Sequence, residues 1–279
     1  MIKTRILPAL FAAALALPGA AFAAGEKGTI EDVDFSYEGP FGTFDKYQLQ
    51  RGYQVFHEVC AGCHGMQYLS FRDLGREDGP AIPAEQIKAI AANYQCTDPD
   101  LEPGETRDCK ASDRFPANVG AGAPDLTLMA KARVGFSGPA GLGINQLFNG
   151  IGGPEYIYSL LTHYNGEEQE VGSSILYGND TMSGGWISMS QPLYGEDIEY
   201  AVYTESGALA EDANGYTPPE PTLDQLSQDV AAFLMWAAEP TMIERKEAGF
   251  RNLLMIILLA VLLYYTNKKL WAPIKRKSS

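Results

Sequence analysis

Cys60-Ala61-Gly62-Cys63-His64 is the stretch of this chain whose residue types and spacing carry a definite chemistry. In an exported chain a Cys-x-x-Cys-His run reads as a covalent attachment site for haem, with two thiols adding across the porphyrin vinyl groups and an imidazole binding the iron. Two residues between the cysteines let both sulfurs reach one edge of a flat macrocycle. The next residue then turns beneath the ring, so attachment and axial ligation are set together. Two other readings are weaker. A zinc site needs four ligands, and the remaining cysteines, Cys96 and Cys109, stand thirteen apart with no histidine beside them. A thioredoxin-like dithiol belongs near a βαβ pattern, which the sequence does not show.

An iron held by His64 on one face needs a group on the other, and that group decides between electron transfer and chemistry at an open position. Methionine suits electron carriers because its soft thioether favours reduced iron. Met66 is tied to the His64 side, and Met129 and Met235 fall in helical patterns that suit core packing. Met182 and Met189 are both far enough along the chain to fold over the opposite face. Trp186 before it and Pro192 after it give Met189 apolar cover and stiffness, whereas Met182 adjoins Ser183-Gly184-Gly185. Met189 is favoured, Met182 is the alternative, and a position left open is the third case. His57, one turn before Cys60, is too close in sequence to reach the far face and reads as an exposed helix histidine. His163 reads as a surface or capping residue.

The elements that must position these groups follow from local signals. Asp45 with Gln48 is a helix-start signature, and Leu49, Tyr53, Phe56 and Cys60 recur at helical spacing, so a helix runs straight into the pentapeptide. Before it, residues 30–44 are aromatic and Gly-rich without a period and read as an irregular arm. Residues 75–125 read as loop, with a short helix over 83–94. In an oxidising compartment a disulfide between Cys96 and Cys109 is the default tether for such a loop, free thiols being the alternative. Pro124 opens an expected helix through Arg133, and Pro154 suits the first position of another over 154–161. The glycines between them follow no strand, which excludes a dinucleotide-binding turn. Acidic residues from Glu167 to Asp212 mark a loop-rich third. Thr222 with Gln225 starts a final helix whose apolar stripe runs from Leu223 to Ala237 and stops at Pro240.

Both ends have other roles. Lys3 and Arg5 precede an apolar run over 6–20, and Ala21-Phe22-Ala23 has the form of a signal-peptidase site. Residues 248–265 are apolar except for Arg251 and Asn252, and eighteen helical residues span about 27 Å, just enough for a bilayer. A buried core helix suits shorter runs. Lys268, Lys269, Lys275, Arg276 and Lys277 follow, placing that end inside and the rest outside the cytoplasmic membrane, with Trp271 at the inner interface. The expected organisation is a signal peptide over 1–23, one periplasmic haem domain over 24–240, an interfacial connector over 241–247, a transmembrane helix over 248–267 and a basic cytoplasmic tail over 268–279.

The whole chain carries a formal charge of −14. Between Ala24 and Phe250 all 35 acidic residues face only 13 of the 21 basic ones, a difference of −22. That field disfavours nucleic acid and favours a cationic partner, chiefly by speeding encounter. Its plainer role is solubility.

Together, the leader, the Cys60–His64 motif, Trp186-x-x-Met189-x-x-Pro192, the run from Asp229 to Pro240, and the anchor ending Thr266-Asn267-Lys268-Lys269-Leu270-Trp271-Ala272-Pro273 resemble the cytochrome c1 family over nearly the whole mature chain. Ala132 to Pro139 and Gly-Pro-Glu-Tyr-Ile-Tyr resemble its alphaproteobacterial members. The resemblance implies a mainly α, class I cytochrome c fold with long loops plus one C-terminal transmembrane helix. It implies a single haem c with thioethers at Cys60 and Cys63, iron ligation by His64 and Met189, and propionate contacts from Arg133 and Tyr156. It further implies a subunit of quinol:cytochrome c oxidoreductase, working beside cytochrome b, that passes single electrons from the Rieske iron-sulfur subunit to a soluble, basic cytochrome c. Bond-making chemistry of its own is not implied. The family commonly has two prolines after the ligand methionine, and Gln191 takes one of those places. Cys96 and Cys109 inherit no role by position. The rival readings are a membrane-tethered, peroxidase-like haem enzyme with an open iron position and a haem-free adaptor.

Overall fold

A computed structural model describes residues 28–98, 102, 104–120, 122–136, 146–204, 209–210 and 215–277. The leader lies outside the described residues. The molecule is mainly helical, and two helices form its frame: α1 (Lys46–Val55) and, fifth after it in the chain, α6 (Leu223–Ala238). Asp45 caps α1, its carboxylate accepting from the amides of Tyr47 and Gln48 at 2.8 and 3.0 Å. Thr222 caps α6 by accepting from Gln225 N at 3.2 Å. The Gln225 side chain does not reach back as a capping box would; it donates to Asp229 at 2.9 Å.

The two helices cross at Gly52, where a Cβ would lie 2.0 Å from the Asp229 carbonyl oxygen. Beside this crossing Arg51 makes a two-pronged ion pair with Asp229 at 2.6 and 2.8 Å, and Asp229 also accepts from Tyr200 OH at 2.8 Å. The pair is buried, so removing one partner would strand the other charge away from water. Leu49, Val55, Phe56, Phe233 and Trp236 are fully buried around it. The core therefore sits where the first and last helices of the domain meet, directly under the pentapeptide.

Between these helices run α2 (Ala84–Ala92), a short α3 (Met129–Ala132), α4 (Gln146–Asn149) and α5 (Gly153–Thr162). The strands β1 (Gln95–Thr97) and β2 (Thr106–Asp108) pair as an antiparallel hairpin beside a Cys96–Cys109 disulfide, as the compartment argument expects. The helix expected from Pro124 to Arg133 is reduced to the four residues of α3. Asp125 instead turns its carboxylate onto Thr127 N and Oγ1 at 2.9 and 2.6 Å, a local bond that competes with helix.

The acidic third holds more strand than its sequence suggests. β3 (Tyr164–Val171) and β4 (Ser174–Asn179) form an antiparallel hairpin, and β5 (Trp186–Ile187) adds to β4 through Gly178 opposite Trp186. Val202 and Tyr203 (β6) pair with Leu209 and Ala210 (β7). The last helix, α7 (Met242–Lys277), is continuous, so residues 242–247 of the expected connector over 241–247 are helical too. Residues 242–273 of it are long and apolar enough to cross a membrane, and its side chains from Leu253 to Tyr265 are exposed apolar ones.

Candidate haem site

The frame delivers the pentapeptide through a change of helical pitch. After α1 the chain continues as a five-residue π-helical turn, Phe56–Cys60, closed by Ala61 N donating to Phe56 O at 2.8 Å. Such turns insert one extra residue into a helix and recur at functional sites. Cys63 N and His64 N then both donate to Cys60 O, at 3.1 and 2.9 Å, which folds the motif back on itself. Cys63 is exposed and Cys60 half-buried. Burial, with Cys63 beside it, pushes the Cys60 thiol up to about 12, so at neutral pH it is a thiol rather than the more nucleophilic thiolate.

His64 is oriented by a single bond. Its Nδ1 lies 2.7 Å from the Pro124 carbonyl oxygen, and because proline's carbonyl can only accept, Nδ1 carries the proton. The other nitrogen, Nε2, is thereby left with its lone pair free, the arrangement a metal-binding imidazole needs. The Pro124 carbonyl is held in turn. Asp125 accepts from Gln67 N at 2.8 Å, Leu126 N donates to Gly65 O at 2.9 Å, and Asn118 Nδ2 donates to Gly62 O at 3.0 Å. Gly65 is required for this closeness, since a Cβ there would lie 2.7 Å from Asn118 N. His64 opens on a cavity of about 210 Å³ lined mainly by Phe56, Met66, Tyr94, Phe115 and Pro116. A flat apolar macrocycle with one iron fits this donor set: paired thiols, one imidazole with a free lone pair, and aromatic walls.

The other sequence-predicted residues lie in a second group. The Arg133 guanidinium sits 5.8 Å over the Tyr156 ring, although the two are 23 positions apart in the chain. Glycines make this possible: a Cβ on Gly135 would lie 2.4 Å from Gly152 O, and one on Gly153 would lie 1.7 Å from Ala130 O. Gly135, Gly152 and Gly153 thus work as a close-packing seam. Tyr156 OH donates to Met182 Sδ at 3.6 Å, which engages the sulfur of the alternative ligand. Met189 is half-buried against the core, its carbonyl accepting from Tyr164 OH at 3.0 Å. Gln191, where the family commonly has proline, donates to Leu193 O at 2.8 Å and tightens the loop by another means.

Residues 35–274 match the Cytochrome C1 family. The chain belongs to the cytochrome c1 family. Over 99% of its length it is 45% identical to a cytochrome c1 of Cereibacter sphaeroides, covering 98% of that protein. A cytochrome c1 of Rhodobacter capsulatus is 42% identical over 97% of this chain and 99% of its own. A longer protein of Bradyrhizobium diazoefficiens named cytochrome b/c1 is 34% identical over 85% of this chain and 35% of its own length. Cytochrome c1 membership supports an electron-transfer haem subunit of the bc1 complex, held in the membrane, and the long apolar α7 fits a single membrane pass.

The histidines that could have competed in a cytochrome c1 are otherwise engaged. His57 Nδ1 lies 3.0 Å from Tyr94 OH, and burial lowers its pKa. His163 ends α5 and reaches Thr181 Oγ1 at 3.0 Å. Sequence reasoning missed Pro124, Asp125, Asn118 and Gly65 as supports of His64. Asp125 two residues before Thr127 is an Asx-turn signal that could have flagged Asp125.

Proposed function

We propose that this chain carries one haem c, attached through thioethers at Cys60 and Cys63, ligated by His64 and Met189, and contacted at its propionates by Arg133 and Tyr156. The observation that carries the reading is the 2.7 Å bond from His64 Nδ1 to the Pro124 carbonyl inside a Cys-x-x-Cys-His turn. When bound, the haem supplies reversible one-electron chemistry at its iron. Everything else falls to the protein. His64 presents Nε2 in one tautomer and orientation, the Pro124 carbonyl raises its basicity, and a neutral Met189 thioether favours the reduced iron. Arg133 offers a charged, planar fork that matches a carboxylate.

The electron route follows the family. Single electrons arrive from the Rieske iron-sulfur subunit and leave to a soluble, basic cytochrome c, with cytochrome b as the neighbouring subunit. The relative named cytochrome b/c1 supports that neighbour. The haem domain faces the periplasm, with the leader removed after Ala23, and the basic residues after α7 lie in the cytoplasm. An excess of acidic side chains steers the carrier in, so raising salt from about 0.01 to 0.15 M should slow electron delivery. A rate independent of salt would remove the steering role.

The test of ligation is optical and magnetic spectroscopy of Met189→Ala and Met182→Ala. The strong-field histidine–methionine signature should vanish in the first and persist in the second. Loss in Met182→Ala alone would reverse the assignment, and a five-coordinate wild-type iron would favour an open-site enzyme instead.

A further inference from the structure

The arm that precedes α1 ends in a closed loop beside the top of the anchor. Glu38 N donates to Phe35 O and Thr43 N donates to Ser36 O, each at 3.1 Å. Gly42 lets the loop close, since a Cβ there would lie 2.0 Å from the Glu38 carbonyl oxygen. Tyr37, at the base, is buried, and its ring lies 4.7 Å from that of Phe44. Phe41, at the tip, is by contrast 75% exposed. Its ring meets that of Phe250 on α7 edge-on, with centroids 5.6 Å apart, and Phe250 is itself exposed. One turn earlier on α7, Lys246 donates through Nζ to the Tyr37 carbonyl. The loop is therefore pinned to the helix at two levels.

A single exposed phenylalanine on a protein surface is ordinary. The position of this one is not. Phe250 is the third residue of the apolar run over 248–265, so at 1.5 Å per residue it lies within about 5 Å of the level where that run begins. A ring in contact with it sits where water gives way to lipid. At that depth the apolar side chains of interfacial segments are buried among headgroups and the outermost acyl carbons. Arg251 follows Phe250 and is exposed, and its long side chain can keep its charge at the level of the lipid phosphates. An apolar ring beside a cation matches phospholipid, and the patch is continuous with the segment that crosses the bilayer. The top of α7 is also held to the rest of the domain. Arg76 Nη2 donates to Glu244 at 2.8 Å, and Glu239 pairs with Lys131 at 3.0 Å and with Arg245. The height of the Phe41 ring is thus set by the domain as a whole.

We propose that Phe41, together with Phe250, inserts into the phospholipid leaflet on the haem side, as a second membrane contact of the domain beside its anchor. A domain hung from one helix can tilt about it, whereas a domain that also rests a loop in the interface cannot tilt freely. The contact would fix the height and attitude of the haem site above the membrane. It rests on the reading that α7 spans the bilayer with the haem domain outside.

The experiment uses the full-length haem-loaded protein in vesicles of phosphatidylethanolamine and phosphatidylglycerol. With Cys60 and Cys63 joined to haem and Cys96 bonded to Cys109, one introduced cysteine is the sole free thiol and takes a nitroxide label. Oxygen, which concentrates in lipid, and a water-soluble nickel chelate then report the depth of the label. The oxygen-to-nickel accessibility ratio at Phe41→Cys should exceed that at Glu85→Cys, on exposed α2, by about threefold or more. Leu258→Cys, inside the span, should give the deepest value. Pro40→Cys keeps the ring in place should Phe41→Cys fail to fold, and it too should favour oxygen. Adding Phe41→Asp to Pro40→Cys should return that label to the nickel-accessible value of Glu85→Cys. Labels at 40 and 41 as open to nickel as at Glu85, with Leu258 deep, would place the loop in water and overturn the proposal while the anchor stands. Shielding from both reagents would show a protein contact and overturn it as well. A Pro40→Cys label unmoved by Phe41→Asp would show that the ring does not make the contact. A nickel-accessible label at Leu258 would remove the anchor reading and the proposal with it.

Discussion

His64 is tied into a turn where four hydrogen bonds converge from the Pro124–Leu126 and Asn118 segments, and a glycine permits backbone contact. Met189, the proposed second ligand, hangs instead from a loop at the sheet edge, with Tyr164 OH on its carbonyl and Gln191 closing onto Leu193. The His64 region is stiff because it belongs to the Cys60–His64 turn and packs on the α1–α6 frame. The Met189 region is built from a two-residue strand and a half-buried loop, so fewer contacts resist its movement. An iron bridging the two should lose the thioether before it loses the imidazole.

Asp125→Ala is the strongest way to break this contrast. It removes the acceptor of three bonds, to Gln67 N, Thr127 N and Thr127 Oγ1, and should destabilise the fold by about 3 kcal/mol in urea unfolding. The reduction potential should shift as the Pro124 carbonyl loses its hold on His64, which a purely structural role would not do. Gly65→Ala comes next. Its Cβ would lie 2.7 Å from backbone nitrogen of Asn118, and the forced shift should cost about 2 kcal/mol. Tyr164→Phe, on the methionine side, removes one bond and should cost about 1 kcal/mol. Its spectroscopic effect should nonetheless be the larger, with the methionine signature lost at lower alkaline pH or temperature than in wild type. A Tyr164→Phe protein as destabilised as Asp125→Ala, or one with unaltered methionine ligation, would show that the two sides do not differ in stiffness.

Legibility followed the range of the interaction. The helix entering the pentapeptide was visible in Leu49, Tyr53, Phe56 and Cys60 because a helix repeats its pattern within a few residues, and Asp45 announced its start. The π-helical turn at Phe56–Cys60 was not visible, since inserting one residue leaves the apolar positions in nearly the same places. The β3–β4 hairpin escaped because Glu167, Glu168, Gln169 and Glu170 are polar on both faces, so no alternation marks the strand. The expected helix from Pro124 shrank because the Asp125 side chain found Thr127 locally, and the Pro124 carbonyl was wanted by His64, sixty residues earlier.

The chain's own order determined the chemistry on offer: two thiols and an imidazole in five residues, methionines far downstream, a disulfide-permitting loop, and an apolar final helix flanked by lysines. Local spacing and composition suffice for those because each depends on neighbours in the chain. Only the tertiary structure decided which nitrogen of His64 stays free, which sulfur Tyr156 engages, and that Arg133 lies over Tyr156 through the Gly135–Gly152 contact. It also set the Glu38 carboxyl beside the buried Glu155. Each of these is a contact between segments far apart in sequence, and its geometry is set by packing that no local pattern encodes.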